Sequence, residues 1–437
     1  MSGPPRGDRP GTLRRWRGRL RRLALDFSPL RDSRDFRLLA LGELVSTLGT
    51  QVALVALPYQ VYVLSHSAAL VGLLGAFELG PMIVASLFGG AIADRLDRRN
   101  VLFVAQVGII VTASLLGAIT LATRPPVLVI LVVGGVLAGS VSLDAVTRAA
   151  IVPRVVPAGR LRSALAFNYG SYQLAGIVGP AVGGIVIATI GIGAGYLIDA
   201  GSCLAMAVVA LALSPQPPER THSHPPILRS IGEGLRFVRR NQALSGSFAI
   251  DLVAMTFGWP RAMLPVLSLT VYHAGARGTG LLFAALAVGG TISVLTAGWI
   301  ERARRLGRIV IVVVVLWGIA IAGTGLVRAI VPAMLLLAVA GFADGISAVC
   351  RSTINQTVTP DDLRGRMSAV YNLVVTGGPR LGDVESGLVA GLTSATTSVL
   401  TGGLACILGA VAVVVGFPAL ERFDGGPVPS AESENAT

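Results

Sequence analysis

Long apolar runs alternate with short charged clusters over most of the 437 residues of this chain. A membrane-crossing helix needs ~20 mostly apolar residues. The uncharged stretches 100–123, 278–300 and 309–327 meet that requirement, and two longer ones, 163–198 and 386–420, must each hold more than one crossing. Breaks at Gly, Pro and Arg clusters divide the chain into twelve predicted helices, at 36–64, 69–93, 101–123, 127–153, 163–190, 193–214, 242–273, 278–300, 309–327, 331–357, 366–392 and 398–417. The expected fold class is an all-α polytopic membrane protein with twelve transmembrane helices in two six-helix repeats. An Arg-rich tail (1–35) leads into a first bundle (36–214). A central loop (215–241) joins it to a second bundle (242–417), and a tail (418–437) follows.

Composition removes the alternatives. Hydrophobic residues make up 53% and charged residues 14%, against ~25% charged in soluble domains, and mean hydropathy is +0.72. Soluble, disordered, collagen-like and coiled-coil chains do not have these values. The three cysteines, Cys203, Cys350 and Cys406, all lie inside apolar runs and read as buried thiols, not as a disulfide scaffold. All 36 basic residues are Arg, so the P-loop with its Lys is excluded. No hydrolase, zinc-protease or Cys/His metal spacing occurs, and neither an enzyme nor a cofactor or metal is expected.

The net charge of +13 would suit nucleic acid, but the Arg positions explain it better. With the amino terminus in the cytoplasm, the tail to Arg37 holds eleven Arg, the even-numbered loops seventeen, and the last tail Arg422. The external loops hold only Arg124, Arg277 and Arg328, while Arg148, Arg261, Arg351 and Arg380 fall within spans. This bias follows the positive-inside rule and places both termini in the cytoplasm. No nucleic-acid partner is expected. No small-residue cleavage site follows the Arg-rich start, so the first span is expected to be retained. Leu13, Trp16, Leu20 and Leu23 recur at helical spacing among Arg residues, as in a basic helix resting on anionic lipid or a solvated tail. Leu228, Ile231, Leu235 and Val238 repeat that pattern in the central loop, where His222 and His224 read as solvated.

The halves resemble each other. Arg148 precedes Pro157 by nine residues and Arg351 precedes Pro360 by nine, both pairs at an offset of 203. Asp94-Arg95 ends the second span as Glu301-Arg302 ends the eighth. A six-helix unit occurring twice in one orientation is a parallel-repeat transporter architecture.

Between the second and third spans the chain reads Gly89-Gly90-Ala91-Ile92-Ala93-Asp94-Arg95-Leu96-Asp97-Arg98-Arg99. Gly90 is expected to admit a close neighbouring helix, Asp94 to receive a helix amino terminus, and Arg98 to bridge carboxylates, with Arg95 and Arg99 completing the loop. In the fifth span, Ala175-Gly176-Ile177-Val178-Gly179-Pro180-Ala181-Val182-Gly183-Gly184 combines a missing backbone donor at Pro180 with close-packing Gly179, Gly183 and Gly184. The first motif resembles the signature loop of the major facilitator superfamily, with Asp97 at a usual Gly. The second resembles the antiporter signature of its exporting branches, with Ala175 at the first Gly. Thr359-Pro360-Asp361-Asp362-Leu363-Arg364-Gly365-Arg366-Met367 and Gly382-Asp383 are similar to the tenth-to-eleventh-helix region of enterobactin exporters and macrolide-efflux carriers. The Arg-containing fourth-helix signature of many drug/proton antiporters is missing, so the resemblance does not carry over the usual proton site.

A carboxylate at mid-bilayer costs ~2.5–3.5 kcal/mol on insertion scales and marks an ion path, a substrate site or a structural pair. Candidates are Glu43, Glu78, Asp144, Asp199, Asp251, Asp344, Asp383 and Glu385. Asp144 with Arg148, and Asp344 with Arg351, share helix faces and read as structural or gating pairs. Asp251 and Arg261 flank Trp259-Pro260. The resemblance implies that the first, fourth, seventh and tenth helices line a cavity, which favours Glu43 and Asp251 as proton or substrate sites, with Glu78 in reserve. Asn168, Tyr169, Tyr172 and Gln173 suit a polar or aromatic ligand or a neighbouring helix. The expectation is a monomeric secondary exporter of an amphipathic small molecule (a drug, macrolide or siderophore) in the bacterial inner membrane, with protons and membrane lipids as its other partners. Import, or a non-transporting sensor or scaffold, is the alternative.

Overall fold

The computed structural model describes residues 28–218, 227–360 and 363–424. The expected tail helix with Leu13, Trp16, Leu20 and Leu23, the pair His222 and His224, and Asp361-Asp362 lie outside the described residues. In chain order the helices are α1 (Ser28–Asp32), α2 (Arg34–Ser65), α3 (Ala68–Arg95), α4 (Arg98–Ala122), α5 (Val127–Val155), α6 (Leu161–Thr189), α7 (Ile192–Ala212), α8 (Ile227–Arg240), α9 (Gln242–Phe257), α10 (Met263–Thr270), α11 (Gly275–Thr296), α12 (Leu306–Leu326), α13 (Ile330–Val358), α14 (Arg364–Leu392), α15 (Ala395–Gly416) and α16 (Pro418–Glu421). No strand occurs among the described residues.

Side-chain caps set several boundaries. Ser33, Ser67, Asn241 and Ser394 each accept the backbone N–H three residues on, at 3.1 to 3.4 Å, satisfying donors that a helix start leaves unpaired. Asp97 caps α4 by accepting the N–H two residues on, from Arg99, at 2.9 Å. Its φ of −60° needs no glycine, so the departure from the signature motif supplies a helix cap.

Ten helices among the described residues are long and apolar enough to cross a membrane. The two other predicted spans differ for physical reasons. The 29-residue α14 is long enough but carries Arg364, Arg366, Arg380, Asp383 and Glu385. The predicted span 242–273 is broken into α9 and α10, because Pro260 has no N–H to continue the ladder. Gly258 closes α9 onto Ala254 O at 2.9 Å. A Cβ at Gly258 would stand 2.2 Å from Trp317 Nε1, so glycine is what lets Trp317 stack on Trp259, with ring centroids 6.2 Å apart.

Helices α2 to α7 pack mainly on one another, as do α9 to α15; the main contacts between these groups are α3 with α14 and α6 with α11. Outward, Leu295, Leu392, Leu408 and Val415 are 71 to 87% exposed, an apolar girdle that only lipid covers without penalty. The central helix α8 packs differently from a helix lying on lipid. Val238 is buried, Glu233 pairs with Arg366 at 3.1 Å, and a Cβ at Gly234 would meet Arg366 O at 2.9 Å. Val238 and Ile231 of its apolar face pack into the core, while Leu235 stays 41% exposed.

Candidate functional site

A cavity of about 810 Å³ lies between the two helix groups, within the usual ~300–1,000 Å³ of small-molecule sites. Tyr169, Tyr172 and Gln173 of α6 face Asp344, Ser352 and Thr353 of α13 across it, and Trp259, Arg261 and Arg380 also line it. Beyond Pro180 and Leu264, away from the Arg-rich loops, the halves close on each other through glycine. A Cβ at Gly184 would stand 2.7 Å from Ala276 O, and one at Gly72 would stand 2.4 Å from Asp383 O and 2.6 Å from Gly387 Cα. Backbone-to-backbone approach of that kind is possible only without side chains.

A buried ion network lies on the same seam. Arg261 reaches Glu78 at 3.1 Å and Asp383 at 3.4 Å. Arg380 reaches Glu78 at 3.0 Å and Asp383 at 3.3 Å. Glu78 sits roughly 15 Å along α3 from Ala68 at 1.5 Å per residue. The break at Pro260 completes the arrangement: Ala262 N–H lies where no preceding turn accepts it, and it donates to Asp383 Oδ1 at 3.2 Å. Among the described residues, the ion pairs that cross between α2–α7 and α9–α15 all use Glu78.

Each half also carries its own cluster. In the first, Arg148 pairs with Asp144 at 2.5 Å and Glu43 at 3.6 Å, and Gln106 donates to Asp144 at 2.7 Å. In the second, Arg351 pairs with Asp251 and lies 3.6 Å from Asp344. The offset of 203 between Arg148 and Arg351 thus corresponds to two similar arrangements. Pairing also decides what reaches the cavity. Glu43 and Asp251 are drawn to their Arg partners behind the wall, whereas Asp344 lines the cavity with its side chain 33% exposed. Asp199 is fully buried and accepts from Thr50 Oγ1 at 3.0 Å.

The remaining candidates separate. Asp94 holds Arg98 at 3.0 Å, and Arg98 also donates to Ala150 O at 3.2 Å. Asp94 is 49% exposed, and no hydrogen bond from the second half reaches it among the described residues. Arg95 is exposed, while Arg99 donates to Leu213 O at 3.4 Å. Gly90 does not admit a close helix in this conformation: nothing stands within 4 Å of a Cβ placed there, whereas Gly89 meets Leu143 at 2.8 Å. One residue turns a helix by about 100°, which accounts for the difference. Gly179 and Gly183 press on Gln51 and Val52 of α2, and Gly184 presses on α11. Tyr172 lines the cavity; Asn168 does not, and its Oδ1 is buried without a partner. Arg380 was not among the residues that the sequence marked for a site, because an Arg near the middle of a span has no visible partner until α3 is placed beside it.

The model of a family described as transmembrane secretion effector matches residues 24–433. Enterobactin exporter EntS of Citrobacter koseri is 26% identical over 414 residues, covering 92% of this chain and 98% of that protein. EntS of Escherichia coli is also 26% identical, covering 94% and 98%. Among solved structures, a POT family transporter in complex with 5-aminolevulinic acid superposes with a TM-score of 0.72 at 12% identity, covering 89% of this chain and 97% of that one. A bacterial homologue of the human lysosomal transporter Spinster, inward-facing and unoccupied, gives 0.66 at 16% identity, covering 92% and 99%. These similarities establish the major facilitator fold.

Proposed function

The chain belongs to the transmembrane secretion effector family, multi-pass membrane transporters of the major facilitator fold, and from that membership we propose a proton-coupled exporter of an amphipathic small molecule. The observation that carries the reading is the cavity between the halves, closed at one end by glycine contacts and the Glu78 network. Opening that seam while closing the other end would pass a molecule across without a continuous pore. A molecule of the kind the enterobactin exporters are named for is one cargo; a drug or a macrolide is another. The motif residues Gly90, Asp94, Arg95, Arg98 and Arg99 serve as the gate at the Arg-rich end, and the Asp144–Arg148 pair stiffens it. Glu43 and Asp251, each able to exchange an Arg partner for a proton, are the coupling candidates.

We read the chain as twelve crossings in two six-helix bundles, counting α9 with α10 as one crossing and α14 as another. The Arg distribution supports an inner-membrane orientation with both termini in the cytoplasm, the seam closed away from the Arg-rich loops corresponds to an inward-facing conformation, and we read the protein as a monomer surrounded by lipid. Reporters inserted after residue 277 should then report from outside and those near residue 230 from inside; a cytoplasmic signal from residue 277 rejects the twelve-crossing topology. The function itself is tested in proteoliposomes, by efflux of a candidate substrate with and without an imposed pH gradient. Glu43→Gln and Asp251→Asn should remove gradient-driven efflux and spare downhill exchange. Full gradient-driven efflux in both variants rejects coupling through these residues.

A further inference from the structure

We propose that the cavity selects organic cations, and that Asp344 makes the selection. The inference rests on the export reading above and names the substrate class of the same cavity. Three charged residues line the cavity: Arg261, Asp344 and Arg380. The two guanidiniums are matched by Glu78 and Asp383, each within 3.4 Å of both. Behind the wall, Arg351 is held by Asp251. Arg351 also pairs with Asp344, at the longer distance of 3.6 Å. Asp251 and Asp344 thus share one guanidinium, so the pair carries one negative charge in excess, and Asp344 is the member that lines the cavity.

The wider count has the same sign. The three clusters contain Glu43, Glu78, Asp144, Asp251, Asp344 and Asp383 against Arg148, Arg261, Arg351 and Arg380, two acidic groups in surplus. This contrasts with the whole chain, whose formal charge is +13. The basic residues are concentrated in loops and tails; of the two surplus carboxylates, one belongs to the Arg351 cluster, whose Asp344 lines the cavity, and the other to the Arg148 cluster behind the wall.

Aromatic rings supply a second, independent preference. Tyr169 and Tyr172 are 49% and 56% exposed on the wall facing Asp344, and Trp259 and Phe283 line the cavity as well. Ring faces attract cations, and a carboxylate away from bulk water attracts them more strongly than in solution. An anion of the same shape would meet the negative faces and the surplus charge together. The fitting cargo is a cation with an apolar or aromatic body that spreads over α6 while its charge rests at α13.

Tetraphenylphosphonium and tetraphenylborate have nearly one shape and opposite charge, and so isolate the charge preference. Binding of each to the purified full-length protein in detergent is measured by equilibrium dialysis, with protein-free micelles as the blank. The phosphonium should bind at least about tenfold more tightly than the borate, the scale expected of one unit charge within several ångströms at intermediate dielectric. Asp344→Asn should weaken phosphonium binding by about tenfold or more without weakening the borate, and Asp344→Glu should retain it. The Arg351–Asp251 pair survives in both variants, and a melting curve verifies that each is folded. Equal affinity for the two ions, or undiminished phosphonium binding by Asp344→Asn, overturns cation selection and leaves the export reading standing. Binding of neither ion to folded wild-type protein also overturns cation selection, and the export reading then stands or falls on the efflux experiment.

Discussion

Glu78→Gln is expected to abolish gradient-driven export and to expose the cavity from the end that is closed in this structure. Glu78 supplies both ion pairs that cross between the halves among the described residues. Its amide leaves two guanidiniums, Arg261 and Arg380, sharing the single charge of Asp383. Removing one partner from a buried ion network costs about 3–5 kcal/mol. A transporter's two end states differ by only a few kcal/mol, so a loss borne by one of them moves the population by roughly a hundredfold or more. The measurement is labelling of a cavity cysteine by a membrane-impermeant maleimide added outside. Ala287→Cys lines the cavity, and replacing Cys203, Cys350 and Cys406 by Ser removes the native thiols. Labelling should rise at least about tenfold in Glu78→Gln, and Arg261→Ala should act in the same direction. If labelling and export both match the parent protein, the network does not hold the seam.

Most of the helical architecture was legible because lipid demands long uncharged runs, and most span boundaries fall within a few residues of those predicted from Gly, Pro and Arg clusters. The division of 242–273 is an instructive exception. Gly258-Trp259-Pro260 carries a visible breaking signal, yet the apolar residues on either side read as one run. What that break does could not be read at all. It frees Ala262 N–H for Asp383, a residue 121 positions away. The same limit applies to Arg380 and Glu78, each of which looks like an isolated charge within its own helix. Pairs on one helix, such as Asp144 and Arg148, follow from 3.6-residue periodicity; pairs across helices depend on rotation about each axis. Gly89 and Gly90 make the point at one residue's resolution, since only the first faces a neighbour closely. For the same reason the sequence could pair Asp344 with Arg351 along one helix but could not show that Asp344 lines the cavity, whereas Glu43 and Asp251 do not.

Gly184→Leu is expected to stop export as completely as the loss of Glu78, by a steric route. Its Cβ would stand 2.7 Å from Ala276 O and 3.1 Å from Gly280 Cα, both on α11. The obstructing atoms are backbone, so no side chain can swing aside. The partner surface is equally closed, because a Cβ at Gly280 would stand 2.3 Å from Pro180 O. Helices α6 and α11 must therefore separate, and the closed seam becomes inaccessible to the variant. Overpacking a well-fitted core costs about 1–3 kcal/mol, but here the strain lies between the halves and is relieved by opening them. Folding should be preserved and the molecule held open at this end, with Ala287→Cys labelled rapidly from outside and efflux reduced to the empty-liposome level. Gly183→Leu provides the contrast. Its Cβ would press on Val52 Cα at 3.1 Å within the first half, where rearranging the halves brings no relief. That variant should lose melting temperature and yield, and any folded fraction should label like the parent. Wild-type efflux by Gly184→Leu would show that the seam need not close during transport, and the same labelling pattern in both glycine variants would mean that the lesion acts on folding and not on the transport cycle.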